Sequence, residues 1–413
     1  MDNKFISNLG FTTLAKILIA GLGFGTQVLL SRLLSKSEFG LISTLVAFGS
    51  YFALLADYST SSIAQTNILK EMNKAEEHYH IYVTTKAITT LGALVLFIIL
   101  AFLLGYASNK LILSFMAISI PLTALIIMPQ VLLLAFSKFK IYSALLLTTS
   151  VINFVFQGFG LWLKPSKENY FFFLILGNII AVLINYWIIG KQLPIIFKWK
   201  KASGKQIWIL VCKSTPLLMG SFSYLLFYRA NSILLEKMSG SETVAEYNLA
   251  WMIGNNVVEL VWVQFILIFY PKMVELFQTD RNRLIVQLRK VSLFFFGFFF
   301  ASILITHFIG EWIFTLIFGS KYGHAAIVFE LMLPSLFLTI IFALYYRLLI
   351  ILGRQTVYLT LMVSGSIINL GIGMIVIRKY GSFGALGANF TAQLIVSILI
   401  YYFSVRYTRK NLT

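Results

Sequence analysis

Long, nearly uninterrupted apolar runs constrain this chain more than any other feature. Twelve stretches are apolar over about 20 residues: 9–31, 39–62, 84–105, 111–135, 142–163, 170–190, 214–236, 244–270, 291–309, 325–350, 356–377 and 383–405. About 20 such residues cross a bilayer as a helix. A soluble domain could not hide this surface: 59% of the 413 residues are hydrophobic and only 12% are charged, against about a quarter in ordinary soluble domains. Mean hydropathy is +0.86. A membrane β-barrel would instead alternate apolar and polar positions in segments of about ten residues. The reading is an all-α integral membrane protein with twelve transmembrane helices.

Basic residues set the orientation. Of 33 Lys and Arg, 21 (Lys86 among them) are assigned to loops on one side of this span pattern, nine to the other, and Lys16, Arg229 and Arg347 to span interiors. Cytoplasmic loops carry such excesses, so both termini are expected in the cytoplasm. The net charge of +18 is read as loop charge facing anionic lipid, and no nucleic-acid partner is expected. The single cysteine, Cys212, excludes an internal disulfide or a thiolate cluster. Glu76-Glu77-His78-Tyr79-His80 has acidic and imidazole side chains but no further converging ligands, so it reads as a solvated loop and no metal or cofactor is expected. Gly21 and Gly25 have GxxxG spacing without a preceding strand, a sign of helix packing rather than nucleotide binding. Nucleotide-loop, zincin and catalytic-triad motifs are absent, which disfavours ATP-driven transport by this chain alone; no enzymatic activity is expected.

The chain repeats itself. With a shift of 216 residues, Lys138 falls on Arg354, Tyr142 on Tyr358, Ser150 on Ser366 and Asn153 on Asn369. The turns SKSEFGL and SGSETVAEYNL also match. This predicts two six-helix bundles, 1–200 and 201–413, related by a pseudo-twofold along the membrane normal, with a binding site at their interface.

Polar residues within spans are functional candidates because the bilayer makes them expensive. Lys16 shares a helix face with Asn8, Thr12, Gln27 and Ser31, and Asp57 with Ser43, Ser50 and Ser61. Arg229 lies with Ser221, Ser232 and Glu236, and Glu259 with Asn248, Asn255 and Trp262. Arg347 and Asp57 stand near an interface, where snorkelling or a structural ion pair would also satisfy them. Lys16, Arg229 and Glu259 are deeper and are expected to line a cavity, although a salt bridge between the halves would also serve. Asn153 and Asn369 are candidates for hydrogen-bonded helix contacts. Pro121 and Pro129 in the fourth span and Pro334 in the tenth predict bends in equivalent helices.

Four stretches carry a resemblance to a known family: SRLLSKSEFGLISTLVAFGSYFALLAD (31–57), the segment 214–255, FGSKYGHAAIVFELMLPSLF (318–337) and YGSFGALGANFTAQLIVSILIYY (380–402). They resemble the polysaccharide (Wzx-type) flippases of the multidrug/oligosaccharidyl-lipid/polysaccharide exporter superfamily. The chain departs from that family at Asn231, where the family often has Asp. The resemblance implies a bacterial inner-membrane transporter that moves an undecaprenyl-diphosphate-linked oligosaccharide to the outer leaflet by alternating access. A polysaccharide polymerase and a chain-length regulator are the expected partners. Lys16, Arg229 and Arg347 would hold the diphosphate, with Gln27 and Asn255 on the sugars. Asp57 or Glu259 would couple transport to H⁺ or Na⁺. A multidrug exporter of the same superfamily would favour an acidic cavity, whereas these deep charges include cations. A membrane polysaccharide polymerase would usually have one long extracytoplasmic loop, which this chain lacks.

Overall fold

The computed structural model describes residues 3–193 and 202–410, and among them every element is helical. Lys198, Lys200, Lys201 and the expected junction at 200/201 lie outside the described residues, as does the side chain of Asn8. The helices are α1 (Asn3–Leu33), α2 (Lys36–Asp57), α3 (Thr60–Lys70), α4 (Ala75–Leu103), α5 (Lys110–Ile127), α6 (Gln130–Ala135) and α7 (Phe139–Leu163). There follow α8 (Lys167–Gln192), α9 (Gly204–Ser239), α10 (Ser241–Thr279), α11 (Arg281–Phe318), α12 (Ala325–Ile351) and α13 (Gln355–Lys410).

Ten described stretches are long and apolar enough to cross a membrane. One of them, Gln355–Thr408, is two helices broken at Gly381, whose φ of 53° and ψ of −129° are not helical. Helix α10 contains the remaining expected span, 244–270. The chain is thus a multi-pass membrane protein with ten to twelve apolar helices.

Local chemistry sets the breaks. Ser166 caps α8 by accepting from the Asn169 amide at 3.2 Å, and Asp280 caps α11 by accepting from the Arg283 amide at 2.9 Å. Each bond satisfies a donor that a helix start leaves open. Pro121 stays inside α5 and Pro334 inside α12. Pro129 stands immediately before α6 and separates it from α5.

One pair of matched turns has the same backbone geometry. Ser137 and Gly353, 216 residues apart, both take positive φ, 56° and 69°. The following amides, of Lys138 and Arg354, donate to the carbonyls of Leu133 and Leu349, each at 2.8 Å. Helices α7 and α13 begin at the equivalent positions 139 and 355.

The chain divides into two compact units. Unit 1 comprises Met1–Ser35 and Phe48–Phe222. In it α7 packs on α1 and α8, α8 packs on α5, and α3 lies against α4 and α6. Unit 2 comprises Lys36–Ala47 and Ser223–Thr413. Its centre is α12, which packs against α10, α11 and α13. Helix α2 therefore contributes its first half to unit 2 and its second half to unit 1. Helices in lipid gain no hydrophobic drive from meeting one another, so close approach at small residues holds them. A Cβ on Gly254 of α10 would stand 2.5 Å from Leu336 of α12, and one on Gly40 would stand 1.7 Å from the Ser241 carbonyl oxygen.

Candidate functional site

In unit 1, Asp57 ends α2 and Lys86 lies two residues inside the expected third span. Lys86 is fully buried, and its ammonium donates to the Asp57 carboxylate. Ser61 donates to the same carboxylate and meets the Tyr82 hydroxyl at 3.0 Å. Thr89 donates to the Ala56 carbonyl at 2.7 Å. This network joins α2, α3 and α4. It also corrects the assignment of Lys86 to the cytoplasmic loops: the residue is a buried cation within a span. Burying a lone ammonium costs several kcal/mol, and the adjacent carboxylate offsets that cost. Asp57 is thus held in an ion pair.

Lys16 is exposed, about midway along α1. The neighbouring face of α1 packs on α7: Ser143 donates to Thr12 at 3.2 Å, Ala15 is buried, and Gly25 stands against the Phe154 ring. Lys16 is turned off that face. Gln27 is half-buried.

In unit 2, the guanidinium of Arg229 lies over the Trp251 ring, 3.8 Å from its centroid. Both residues are eleven positions from Gly240, about 16 Å along α9 and α10. Tyr224 lies within electrostatic reach of both Arg229 and Glu259. Glu259 is exposed and Asn255 half-buried on α10. A buried layer lies beside them: Ser232 donates to Asn248 at 3.1 Å, and Asn231 donates to the side chain of Asn369 and the carbonyl of Ala385, each at 3.3 Å. Trp262 packs against Phe295 and Phe265 in the core of the unit. Arg347 stands over Tyr346 at 5.5 Å and Tyr270 at 5.7 Å. Its Nε is buried without a hydrogen-bond partner among the described residues. Such ring contacts stabilise a cation by about 0.5–2 kcal/mol without neutralising it.

The structure joins two further groups that sequence reasoning missed. Lys36 pairs with Glu246 at 2.5 Å, and His324 meets the other Glu246 oxygen at 3.1 Å. Beside them Phe39 packs edge-on to Tyr322 at 5.9 Å. His307 meets Glu330 at 3.2 Å. Glu246, His307 and Glu330 each lie within an expected span, and that was the available signal. The expected face of Lys16 and the expected face of Arg229 belong to different units. Among the described residues no cluster of His, Cys, Asp or Glu is arranged to hold a metal.

The sequence profile of one family, described as polysaccharide biosynthesis protein, matches residues 5–277. The chain belongs to that family. No curated protein matches the sequence. Among solved structures, the lipid II flippase MurJ in an inward closed conformation aligns with a TM-score of 0.73 and 15% identity, covering 96% of this chain and 87% of that one. An inward-facing multidrug resistance MATE transporter of the MOP superfamily aligns at 0.71 and 13% identity, covering 94% and 95%. The Vibrio cholerae MATE transporter VcmN aligns at 0.62 and 14% identity, covering 98% and 96%. These likenesses establish the fold alone; the proteins that share it here are transporters and a flippase rather than enzymes.

Proposed function

We propose that the chain flips undecaprenyl-diphosphate-linked oligosaccharide repeat units from the cytoplasmic to the outer leaflet of a bacterial inner membrane. The family match carries this reading. The deep cations support it. Arg347 stands over two aromatic rings with its buried Nε unbonded among the described residues, and Arg229 lies over Trp251 within the same unit, so both bring positive charge to span interiors where a lipid-linked anion would need it. Lys16 cannot face hydrocarbon cheaply, which assigns its exposed position on α1 to the substrate path. Gln27 and Asn255 are the sugar contacts in this reading. The two halves act as six-helix bundles of one orientation, both termini are cytoplasmic, and transport proceeds by alternating access. Glu259 is the coupling acid for H⁺ or Na⁺, because Asp57 is committed to Lys86.

The test uses a deletion strain of the source organism, complemented with wild type, Lys16→Ala or Arg229→Ala. Surface polysaccharide and the leaflet location of the lipid-linked repeat unit are measured. The deletion should trap repeat units on the cytoplasmic side, and neither variant should rescue. Normal polymer in the deletion strain, together with new sensitivity to cationic drugs, would replace this reading with drug export.

A further inference from the structure

A groove of about 450 Å³ runs along α11, α12 and α13 within unit 2. Its two ends differ. Arg289, Ser292, Tyr345 and Tyr401 stand at one end, and Phe296 and Phe337 at the other. Arg289 lies two residues before the expected span 291–309, at headgroup depth, and Phe296 lies about 10 Å further in. Helix α12 runs the opposite way, so its Tyr345 meets the polar end and its Phe337 the apolar end. The Phe296 and Phe337 rings touch at 5.8 Å, and those of Tyr345 and Tyr401 at 5.0 Å.

The floor is fixed. Ser397 and Ser404 of α13 donate to the α12 carbonyls of Leu338 and Tyr345, at 3.2 and 2.9 Å. The rim is open: Leu293 is 70% exposed and Phe296 54%. In a bilayer that rim faces hydrocarbon, so an occupant arrives laterally from the membrane. No carboxylate lines the groove, and the polar end offers one guanidinium plus hydroxyl donors.

From this juxtaposition we infer a binding site for one anionic membrane phospholipid. Its phosphodiester sits on Arg289 and the Tyr401 hydroxyl, and an acyl chain runs along Phe296, Phe337 and Ile341. A phosphodiester carries one negative charge and matches one guanidinium, whereas a diphosphate would call for more than one cation. The site is separate from the deep cations of the transport reading and does not depend on it.

The experiment uses full-length protein in nanodiscs of mixed phosphatidylglycerol and phosphatidylcholine, with retained lipid counted by native mass spectrometry. Wild type should retain one phosphatidylglycerol in preference to phosphatidylcholine. Arg289→Gln should lower that preference by about fivefold, the effect of one basic residue at an anionic surface, and Arg289→Lys should restore most of it. Ile341→Trp should expel the lipid by filling the groove with Arg289 intact. Arg283→Gln, at the same basic end but outside the groove, should change nothing. Equal retention of the two lipids, or an equal loss in Arg283→Gln, would overturn the site. So would displacement of phosphatidylglycerol by an equimolar polyprenyl phosphate.

Discussion

Removing either half of the Asp57–Lys86 pair leaves one charge in apolar surroundings. Such removals cost about 3–5 kcal/mol in buried pairs, whereas replacing both partners together is often close to neutral. Asp57→Asn and Lys86→Met should each lower the thermal midpoint of the detergent-solubilised protein. The double variant should recover much of the loss. If Asp57 served ion coupling instead, the double variant would be stable but transport-dead. Arg229 supports a second prediction at this scale. Arg229→Lys keeps the charge but loses the planar stack on Trp251, and the two cations are not interchangeable at a stacked site. It should restore surface polymer only partly, whereas Arg229→Ala should restore none. Sequence showed Arg229, Lys16 and Glu259 plainly, because a charge within a long apolar run is conspicuous. It did not show that Lys86 and Glu246 were buried. Both stand within a turn or so of a span end, where a long side chain has the option of reaching water. Only the partners Asp57 and Lys36, which are 29 and 210 residues away, decide otherwise.

At the scale of elements, close approach at glycines gives a graded test. A Cβ at Gly40 would meet the Ser241 carbonyl at 1.7 Å, so Gly40→Ala must push α2 off the start of α10. Overpacking of this kind costs about 1–3 kcal/mol. Gly49→Ala meets only the terminal methyl of Met116 at 3.0 Å, which can swing aside, so its midpoint should stay near wild type. The repeated turns offer a complementary pair. Gly353→Ala places a side chain at φ 69° and should destabilise, whereas Ser137→Gly relieves one at φ 56° and should be neutral or stabilising by up to about 1 kcal/mol. Both are read by thermal unfolding of the full chain. The 216-residue repeat was legible from four matched residues, and the backbone turn at 137 and 353 has the same form twice. The break at Gly381 was legible as the polar gap between the spans 356–377 and 383–405, and the break at Pro129 as a predicted bend. What hydropathy could not give is the backbone form of each break, because a hydropathy window does not see φ.

For the whole molecule, the coupling assignment gives the sharpest prediction. In proteoliposomes with an imposed H⁺ or Na⁺ gradient, Glu259→Gln should lose the gradient's effect on flipping while keeping the slow uncoupled rate. The Asp57→Asn/Lys86→Met double variant should keep the response. Gradient dependence that survives Glu259→Gln would remove Glu259 from the role.

The sequence by itself determined that the chain crosses a membrane many times as helices and which family it resembles. Both follow from composition and spacing along the chain: hydrocarbon accepts only backbone that satisfies its own hydrogen bonds, and family motifs lie in short contiguous stretches. Tertiary structure alone decided which charges are committed. Lys86 is spent on Asp57 and Lys36 on Glu246, while Arg347 stands over the rings of Tyr270 and Tyr346. It also decided that the first half of α2 belongs with unit 2. A buried charge is satisfied by whatever lies within about 4 Å in space, and chain distance carries no information about that neighbour.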